Sequence, residues 1–244
     1  MQNYKVVVRM KRKVLAIIPA REGSKRIPNK NIVDLNGFPL ISYTILAALS
    51  SGVFDKVVVS TDSSKIANIS RKFGAEIPVL RPESLARDES SSYDVVAHMV
   101  EHLSMAEDFL PDILVLLQPT SPLRGVDQII ESVVRFNREF NSIDSMVGVT
   151  EVTQHPEWMY TFENNTNNLT KAYSSEGKYL RTQDLSGKYY INGAIYITKH
   201  DIFISTESLF GGRVSGYIMD EKSSIDIDTE HDFMIANILM SDKN

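Results

Sequence analysis

The run Val14-Leu15-Ala16-Ile17-Ile18-Pro19, followed by the polar segment 20–31, decides the fold. An apolar stretch of this length, with β-branched residues and no polar alternation, predicts a strand covered on both faces. A second strand is predicted over 56–60 and a helix over 63–73, and the alternation continues to residue 149. Because right-handed crossovers join such elements, the sequence predicts an α/β domain with a mostly parallel sheet. Ligands of such domains bind at the carboxyl ends of the strands.

The composition changes between residues 151 and 190, which indicates an insertion. This segment is rich in Asn, Ser, Thr, Lys and Tyr and lacks helical periodicity, so we interpret it as a β-rich hairpin or arm. Residues 13–244 then form a single domain that carries the arm. Residues 1–12 form an N-terminal extension, in which Met10 is an alternative start to Met1. Other predicted strands cover 76–80, 113–117, 144–149, 189–198 and 214–219, and other predicted helices cover 40–49, 91–103, 126–140 and 229–240.

The overall composition excludes several classes of protein. A formal charge of −5 argues against a surface that coats nucleic acid. The absence of cysteine excludes disulfide scaffolds, Cys-ligated zinc and thiol nucleophiles. No apolar run approaches the ~18 residues that a membrane span requires. We therefore expect a cytoplasmic enzyme or binding protein.

The segment after the first strand carries the strongest functional signal. It reads Ala20-Arg21-Glu22-Gly23-Ser24-Lys25-Arg26-Ile27-Pro28-Asn29-Lys30-Asn31 and holds four cationic side chains. Cations at the carboxyl end of a strand, beside a glycine that lets backbone N–H groups approach, predict a site for a polyanion. The segment matches neither the Walker A pattern nor the dinucleotide G-x-G-x-x-G pattern. A solvated basic loop is the alternative.

Two further polar segments follow predicted strands. Arg81 follows the third strand and precedes the serine run Ser90-Ser91-Ser92, of which helix capping explains one member. The segment Gln118-Pro119-Thr120-Ser121-Pro122-Leu123-Arg124 follows the most apolar strand. Its prolines stiffen the loop, and Gln118, Thr120, Ser121 and Arg124 supply hydrogen-bonding groups suited to a polyhydroxylated acid.

A pair of aspartates near the C-terminus suggests a metal site. If residues 224–228 are extended, Asp226 and Asp228 share a face while Ile225 and Ile227 point into the core. Neighbouring carboxylates repel each other unless a cation lies between them, and Mg²⁺ favours one or two carboxylates together with substrate phosphates. A helix cap beside a surface aspartate is the alternative, which accounts better for Asp228 than for Asp226.

His98, Glu101 and His102 match the H-x-x-E-H pattern of some zinc peptidases. A helix over this segment places Val95, Val96, Met99 and Leu103 on the buried stripe and the two histidines on the opposite face. An ordinary amphipathic helix therefore explains the pattern, and a zinc hydrolase is the less favoured alternative.

Taken together, these segments resemble the cytidylyltransferases that activate nonulosonic acids, above all CMP-sialic acid synthetases. The resemblance runs from about Lys13 to Met240 and rests on the segment 18–31, on 81–88, on 117–124, on Asn192-Gly193-Ala194-Ile195-Tyr196 and on 224–230. It implies a Rossmann-like nucleotidyltransferase fold, a homodimer formed through the inserted arm, and dependence on Mg²⁺. In the implied reaction, the anomeric hydroxyl of a nine-carbon keto acid attacks the α-phosphorus of CTP and pyrophosphate leaves.

The resemblance also implies roles for individual residues. The implied catalytic residues are Arg21, Lys25, Lys30, Asp226 and Asp228, and the last two would hold the metal. The implied nucleotide-binding residues are Ala20, Arg21, Ser24, Lys25, Lys30, Asn31, Arg81 and Ser92. The implied sugar-binding residues are Gln118, Thr120, Ser121, Arg124, Arg181, Tyr196 and Phe210.

One departure from the family leaves the sugar open. Where sialic acid synthetases often carry a lysine that reaches the partner's sugar site, this chain has Trp158 or a neighbour, and Arg181 is the alternative cation. N-acetylneuraminate and legionaminate are equally open, and a pseudaminate enzyme is less expected from the form of 118–124. Two rival hypotheses stand beside this one: a transferase for an eight-carbon acid or a sugar-1-phosphate, and a nucleotide-binding module without turnover.

Overall fold

In a computed structural model of the protein, residues 11–164, 166–172 and 185–241 are described. The strands are β1 Val14–Pro19, β2 Asp34–Leu35, β3 Phe38–Pro39, β4 Lys56–Ser60, β5 Ile113–Leu117, β6 Ser145–Glu151, β7 Tyr160–Phe162, β8 Leu169–Lys171, β9 Tyr189–Lys199 and β10 Val214–Ile218. The helices are α1 Leu40–Ser51, α2 Ser64–Lys72, α3 Ser92–Glu107, α4 Val126–Arg138, α5 His200–Thr206 and α6 Glu230–Ser241. The alternation of strands and helices that the sequence predicts is confirmed.

The central sheet has six strands in the order β10-β6-β9-β5-β1-β4. β1 lies parallel to both β4 and β5, and β6 is parallel to β10, whereas β9 runs antiparallel to β5 and β6. The chain passes from β1 to β4 on one side and then crosses back to β5 on the other. This reversal opens a crevice at the carboxyl ends of β1 and β5, where open α/β sheets bind their ligands.

Both faces of β1 are buried, as its apolar sequence predicts. Val14, Ala16 and Ile18 pack into one cluster with residues of α1 and α4, while Leu15 and Ile17 pack into a second with residues of α3. All five side chains are fully buried. Burial of a side chain as large as Leu or Ile contributes roughly 1.5–3 kcal/mol, so the central strand is a rigid platform for the loop that follows it.

The structure corrects one predicted strand, and it assigns no strand to the segment that carries the two aspartates. Residues 76–80 form no strand, because Glu76 makes only an isolated bridge to Val58 before the chain turns away. Residues 224–228 form a turn and a loop rather than a strand. The expected alternation of buried isoleucine and exposed aspartate is nevertheless observed at two positions, because Ile227 is fully buried and Asp228 is exposed.

The predicted insertion contains a β-hairpin. β7 and β8 pair antiparallel and form a separate two-stranded sheet, with Tyr160 opposite Lys171 and Phe162 opposite Leu169. The side chains of both strands are exposed to solvent. The β-rich character of the arm is thus observed, while its role in dimerisation stays a prediction.

Candidate active site

Two adjoining cavities lie at the carboxyl ends of β1 and β5. The first has a volume of about 410 Å³, and its lining includes Arg21, Lys30, Asn31, Arg81, Asp88 and Ser92. The second has a volume of about 500 Å³, and its lining includes Tyr190, Asn192, Tyr196, Glu221 and Asp232. Gln118 and Asp226 line both cavities, so these two side chains stand where the cavities meet.

The cationic loop and the acidic pair come together in the structure. The Lys30 ammonium donates to an Asp228 carboxylate oxygen at 3.0 Å, and Arg26 Nη1 donates to the other at 3.0 Å. Lys30 lies nearly 200 residues from Asp228 in the sequence, and its side chain is only 14% exposed. The cationic loop and the acidic pair, which are far apart in the sequence, therefore lie in one cleft.

Ile227 anchors the acidic segment to both neighbouring loops. Its side chain is fully buried in a small apolar cluster with Ile27, Leu35 and Leu40. Its backbone N–H donates to the carbonyl of Thr120 at 2.8 Å, and its own carbonyl accepts from Lys30 Nζ at 2.8 Å. The residue between the two aspartates is thus held by three independent contacts, which fixes the positions of the carboxylates.

The environment of Asp226 suits a cation. One carboxylate oxygen, Oδ1, is buried and has no hydrogen-bond partner among the described residues. Burial raises the pKa of Asp226 above its usual value, the nearby Asp228 raises it further, and a hydrogen bond from Thr120 lowers it. An unpartnered buried carboxylate is costly unless a cation compensates its charge. Asp226 therefore offers a carboxylate oxygen to a cation, whereas Asp228 is already paired with Lys30 and Arg26.

Gly193 allows the strand β9 to approach these groups closely. Its φ of +77° lies in the left-handed region, and a Cβ atom there would lie 3.3 Å from Gln118 Oε1 and 3.8 Å from Asp226 Oδ2. The adjacent Asn192 is buried and donates through Nδ2 to Ser224 Oγ at 2.9 Å. Asn192 and Gly193 thus connect β9 to the segment that carries Asp226.

Several predicted nucleotide-binding residues line the first cavity. Asn31 is buried and donates through Nδ2 to the carbonyl of Arg21 at 2.9 Å, which shapes the turn of the loop. Arg81 is 6% exposed and bonds to Ser60, and burial lowers its pKa to about 10. Ser92 lines the cavity in the first turn of α3, while Ser91 caps the helix through a box with Asp94.

Other predicted nucleotide-binding residues lie beside the cavity rather than in its wall. Ala20 is buried, and its N–H donates to the carbonyl of Ser60 at 2.9 Å. The N–H of Ser24 donates to the carbonyl of Glu22 within the loop. Lys25 reaches the rim, where it and Arg21 both bond to the carboxylate of Asp88.

The structure corrects the prediction that Arg124 lines the sugar pocket. Its side chain is 1% exposed and donates to the carbonyls of Gln118 and Ala194 at 3.1 and 2.7 Å and to Thr44 Oγ1 at 2.8 Å. Because burial removes its hydration, the pKa of Arg124 falls to about 9. The guanidinium points into the core, where it ties the Gln118 loop to β9 and α1.

Of the remaining predicted sugar-binding residues, some line a cavity and others do not. Ser121 is fully buried, so this prediction is also corrected. Thr120 lines the first cavity, and Tyr196 lines the second. Phe210 is 46% exposed and stacks on Tyr196 with ring centroids 6.3 Å apart, outside the described lining of both cavities. Arg181 lies outside the described residues.

The histidine pattern on α3 is explained by the packing of the helix. Val95, Val96, Met99 and Leu103 form its buried face, as predicted. His98 Nδ1 is buried without a partner among the described residues, and burial lowers the pKa of this histidine. In the part of the chain that the structure describes, no three His, Asp or Glu side chains are grouped so as to hold a metal. Nor is any described helix long and apolar enough to cross a bilayer.

Sequence reasoning misses three features of the site. Asp88 carries no role in the sequence-based prediction, although it neutralises two of the loop cations. Glu221 and Asp232 in the second cavity have no distinctive sequence signal. The buried Asn192 could have been found from the sequence, because a polar amide beside glycine in an apolar strand requires buried partners.

The fold is that of an α/β nucleotidyltransferase. A solved structure titled as a CMP:2-keto-3-deoxy-manno-octonic acid synthetase complexed with CTP superposes with a TM-score of 0.70 at 19% identity, over 95% of this chain and 100% of the other. The chain belongs to the cytidylyltransferase family, whose model matches residues 15–242.

Curated relatives of the chain carry three different sugar names. An N-acylneuraminate cytidylyltransferase from Escherichia coli is 38% identical over 96% of this chain and 54% of that protein. A pseudaminic acid cytidylyltransferase from Campylobacter jejuni and a CMP-N,N'-diacetyllegionaminic acid synthase from Legionella pneumophila are each 36% identical, over 93% of this chain and 96% of theirs. The chain spans about half the length of the neuraminate relatives, and nearly all of the other two.

The buried guanidinium of Arg124 makes a prediction about stability. An Arg124→Met substitution removes the buried donor that bonds to the carbonyls of Gln118 and Ala194 and to Thr44 Oγ1, so we expect the free energy of unfolding to fall by about 2–4 kcal/mol. Denaturant titration followed by circular dichroism measures this change. As a control, Arg71→Met on the exposed face of α2 is expected to change the value by less than about 0.5 kcal/mol. Equal stability of both variants and the wild type would contradict the role of Arg124 in holding the loop.

Proposed function

We propose that the protein transfers CMP from CTP to a nonulosonic acid and releases pyrophosphate. The observation that carries this proposal is the junction of two cavities at Gln118 and Asp226. A transferase of this kind must hold a nucleotide and an acceptor side by side, with the reacting atoms at the contact between them. The first cavity is bordered by cations, which suits a triphosphate, and the second presents hydroxyl and amide groups beside acidic side chains.

The first cavity suits the triphosphate of CTP. Arg21, Lys30 and Arg81 line it, and Lys25 lies at its rim. Negative charge gathers on the phosphate oxygens as the hydroxyl of the acceptor attacks the α-phosphorus. Cations that are already in position stabilise this charge without further reorganisation. Lys30 is the best-positioned of these cations, because its two bonds to Ile227 and Asp228 hold it in place before substrate arrives.

Asp226 and Asp228 would hold a Mg²⁺ ion. Mg²⁺ prefers oxygen ligands and is usually bound by one or two carboxylates and by substrate phosphates. When bound, the ion would neutralise phosphate charge and lower the pKa of a coordinated hydroxyl.

The second cavity suits the acceptor sugar, with one electrostatic shortfall. Tyr196 and Asn192 offer hydrogen-bonding groups, but Glu221, Asp226 and Asp232 are all acidic, and no cation is part of the lining within the described residues. A nonulosonic acid carries a carboxylate, which needs a cationic partner in a partly buried site. We infer that Arg181, or another cation of the arm, supplies this charge from a second subunit.

Sequence identity leaves the nonulosonic acid open. The pseudaminate and legionaminate relatives are both 36% identical, and each is matched over almost its whole length. Residues 118–124 favour a substrate other than pseudaminate, and this stays a prediction.

An acceptor panel tests the proposal. The purified protein is incubated with CTP, Mg²⁺ and, in separate reactions, N-acetylneuraminate, legionaminate, pseudaminate and an eight-carbon ulosonate. We expect pyrophosphate release with at least one nine-carbon acid and a CMP-sugar product by mass spectrometry. Release with none of the acids would reject the proposal, and release only with the eight-carbon acid would reassign the substrate.

Asp226 provides a prediction in which activity and stability move in opposite directions. An Asp226→Asn substitution removes a desolvated, partly unpartnered charge, so we expect equal or higher thermal stability. We expect kcat to fall by about 100-fold or more because the metal site is lost. Glu230→Gln, an equal change of charge at the exposed start of α6, is the matched control and should stay within about twofold of wild type. Near-normal turnover of Asp226→Asn would overturn the metal assignment.

We further propose that the arm forms a homodimer. On the hairpin, Tyr160, Phe162 and Leu169 are between 51% and 71% exposed, and Tyr189, Tyr190 and Ile191 at the start of β9 are 44–50% exposed. Monomers rarely leave a large apolar patch in contact with water. The second cavity is lined in part by Tyr190 and Ile191, so a partner that covers these residues would also cover the sugar site.

Light scattering after size exclusion tests this homodimer. We expect a dimer for the wild type and a monomer for Phe162→Asp, because a charge at the centre of an apolar interface is costly. Met105→Asp is the matched control, since Met105 is a large apolar side chain that is 80% exposed and lies on α3 rather than on the arm. A monomeric wild type, or a dimeric Phe162→Asp variant, would contradict the role of the arm.

A further inference from the structure

Asp88 bridges the two cations at the rim of the first cavity. It lies on the exposed segment between the short helix Glu83–Leu85 and α3, and it faces the loop after β1. Its Oδ1 accepts from Arg21 Nη1 at 2.7 Å, and its Oδ2 accepts from Lys25 Nζ. Each oxygen of one carboxylate thus engages a different cation, and these contacts lower the pKa of Asp88.

This arrangement resembles that of a phosphate between two cations. A carboxylate and a phosphate both present anionic oxygens to guanidinium and ammonium donors in charge-assisted hydrogen bonds. A polyphosphate that engaged Arg21 and Lys25 through the same donors would place its charge beside that of Asp88. Like charges at such separations repel, so the carboxylate and the polyphosphate compete for the pair of cations.

The bonds of Asp88 are suited to breaking, unlike those deeper in the cavity. The side chains of Arg21, Lys25 and Asp88 are 36%, 78% and 40% exposed. Ion pairs at this level of exposure contribute little to stability and exchange readily with water. Lys30 and Arg81, by contrast, are largely buried and hydrogen-bonded to the backbone of other segments. The cavity therefore combines fixed cations at its base with paired but releasable cations at its rim.

We propose that Asp88 is a displaceable internal anion, which occupies Arg21 and Lys25 in the empty protein and yields them when a polyphosphate binds. This inference rests on the proposed function insofar as the polyphosphate is the triphosphate of CTP before reaction and pyrophosphate after it. The carboxylate lowers the affinity for both anions. Its return to the two cations after transfer promotes the departure of pyrophosphate.

Binding of inorganic polyphosphates tests the competition without requiring turnover. Calorimetric titration of the full chain with tripolyphosphate and with pyrophosphate compares the wild type, Asp88→Asn and Glu89→Gln at low ionic strength. The loss of the competing charge should make Asp88→Asn bind both anions about three- to tenfold more tightly. Glu89→Gln is the matched control, because it removes the same charge one residue further along. Within the described chain, no ion pair joins Glu89 to a cation of the loop. The affinity of Glu89→Gln for both polyphosphates should therefore stay within about twofold of the wild-type value.

The outcomes separate this inference from the proposed function. The inference is overturned if Asp88→Asn binds the polyphosphates no more tightly than the wild type does, or if neither protein binds them. Weaker binding would mean that Asp88 orients the two cations for the anion, because removal of an orienting residue lowers the affinity. An equal gain for Glu89→Gln also overturns it, since the effect would then be general electrostatics. If the acceptor panel shows turnover, stronger product inhibition by pyrophosphate in Asp88→Asn supports expulsion, and unchanged inhibition contradicts it. If the panel shows none, the titrations still decide the competition.

Discussion

The arrangement of the site depends on the way Ile227 is held between two loops. Its side chain is buried against Ile27 of the loop after β1, and its backbone N–H donates to Thr120 of the loop after β5. Its carbonyl accepts from Lys30. A single residue thus brings the cationic loop, the Gln118 loop and the two aspartates to one place. The apolar contact supplies the driving force, and the hydrogen bonds set the register that places Asp226 between the cavities.

The elements around Ile227 hold this part of the site rigid. The buried strands β1 and β5 lie side by side, so the loops that follow them emerge from a platform with little freedom. Arg124 is fully buried behind the Gln118 loop and connects it to β9 through Ala194 and to α1 through Thr44. A cation that the sequence suggests for substrate binding therefore acts as part of the scaffold. The exposed cations Arg21 and Lys25 at the rim differ from Arg124 in this respect. Their bonds to Asp88 are weak enough to be replaced by bonds to a ligand.

Two kinds of charge in the site have different physical origins. Asp228 is paired with Arg26 and Lys30, so its charge is compensated within the protein. Asp226 is partly desolvated, and one of its oxygens is unpartnered among the described residues, so this oxygen is open to a further cation. This difference is the physical reason why two aspartates one residue apart are not equivalent. The free-energy cost of burying Asp226 is compatible with a binding site, because a bound cation would supply the missing partner.

The sequence alone predicts the α/β alternation, the helical packing of the histidine pattern, and the polar loops that follow β1 and β5 and line the first cavity. These features depend on local periodicity and on the position of polar residues after apolar strands, which are written along the chain. The failure at residues 76–80 has a local cause, since a short apolar run does not reveal whether a neighbouring strand will pair with it. The burial of Ser121 and Arg124 could not be predicted either, because a loop residue's direction depends on the elements packed behind it.

What only the tertiary structure decided is which charges meet. Lys30 and Asp228 are nearly 200 residues apart, and their 3.0 Å contact arises from the order of strands in the sheet and the packing of Ile27 with Ile227. The pairing of Asp88 with Arg21 and Lys25 likewise requires that the segment between Glu83–Leu85 and α3 face the loop after β1. A sequence specifies the chemical groups and the local conformation that carries them. Their distances and solvent exposure, which determine what those groups can do, exist only once the sheet has assembled.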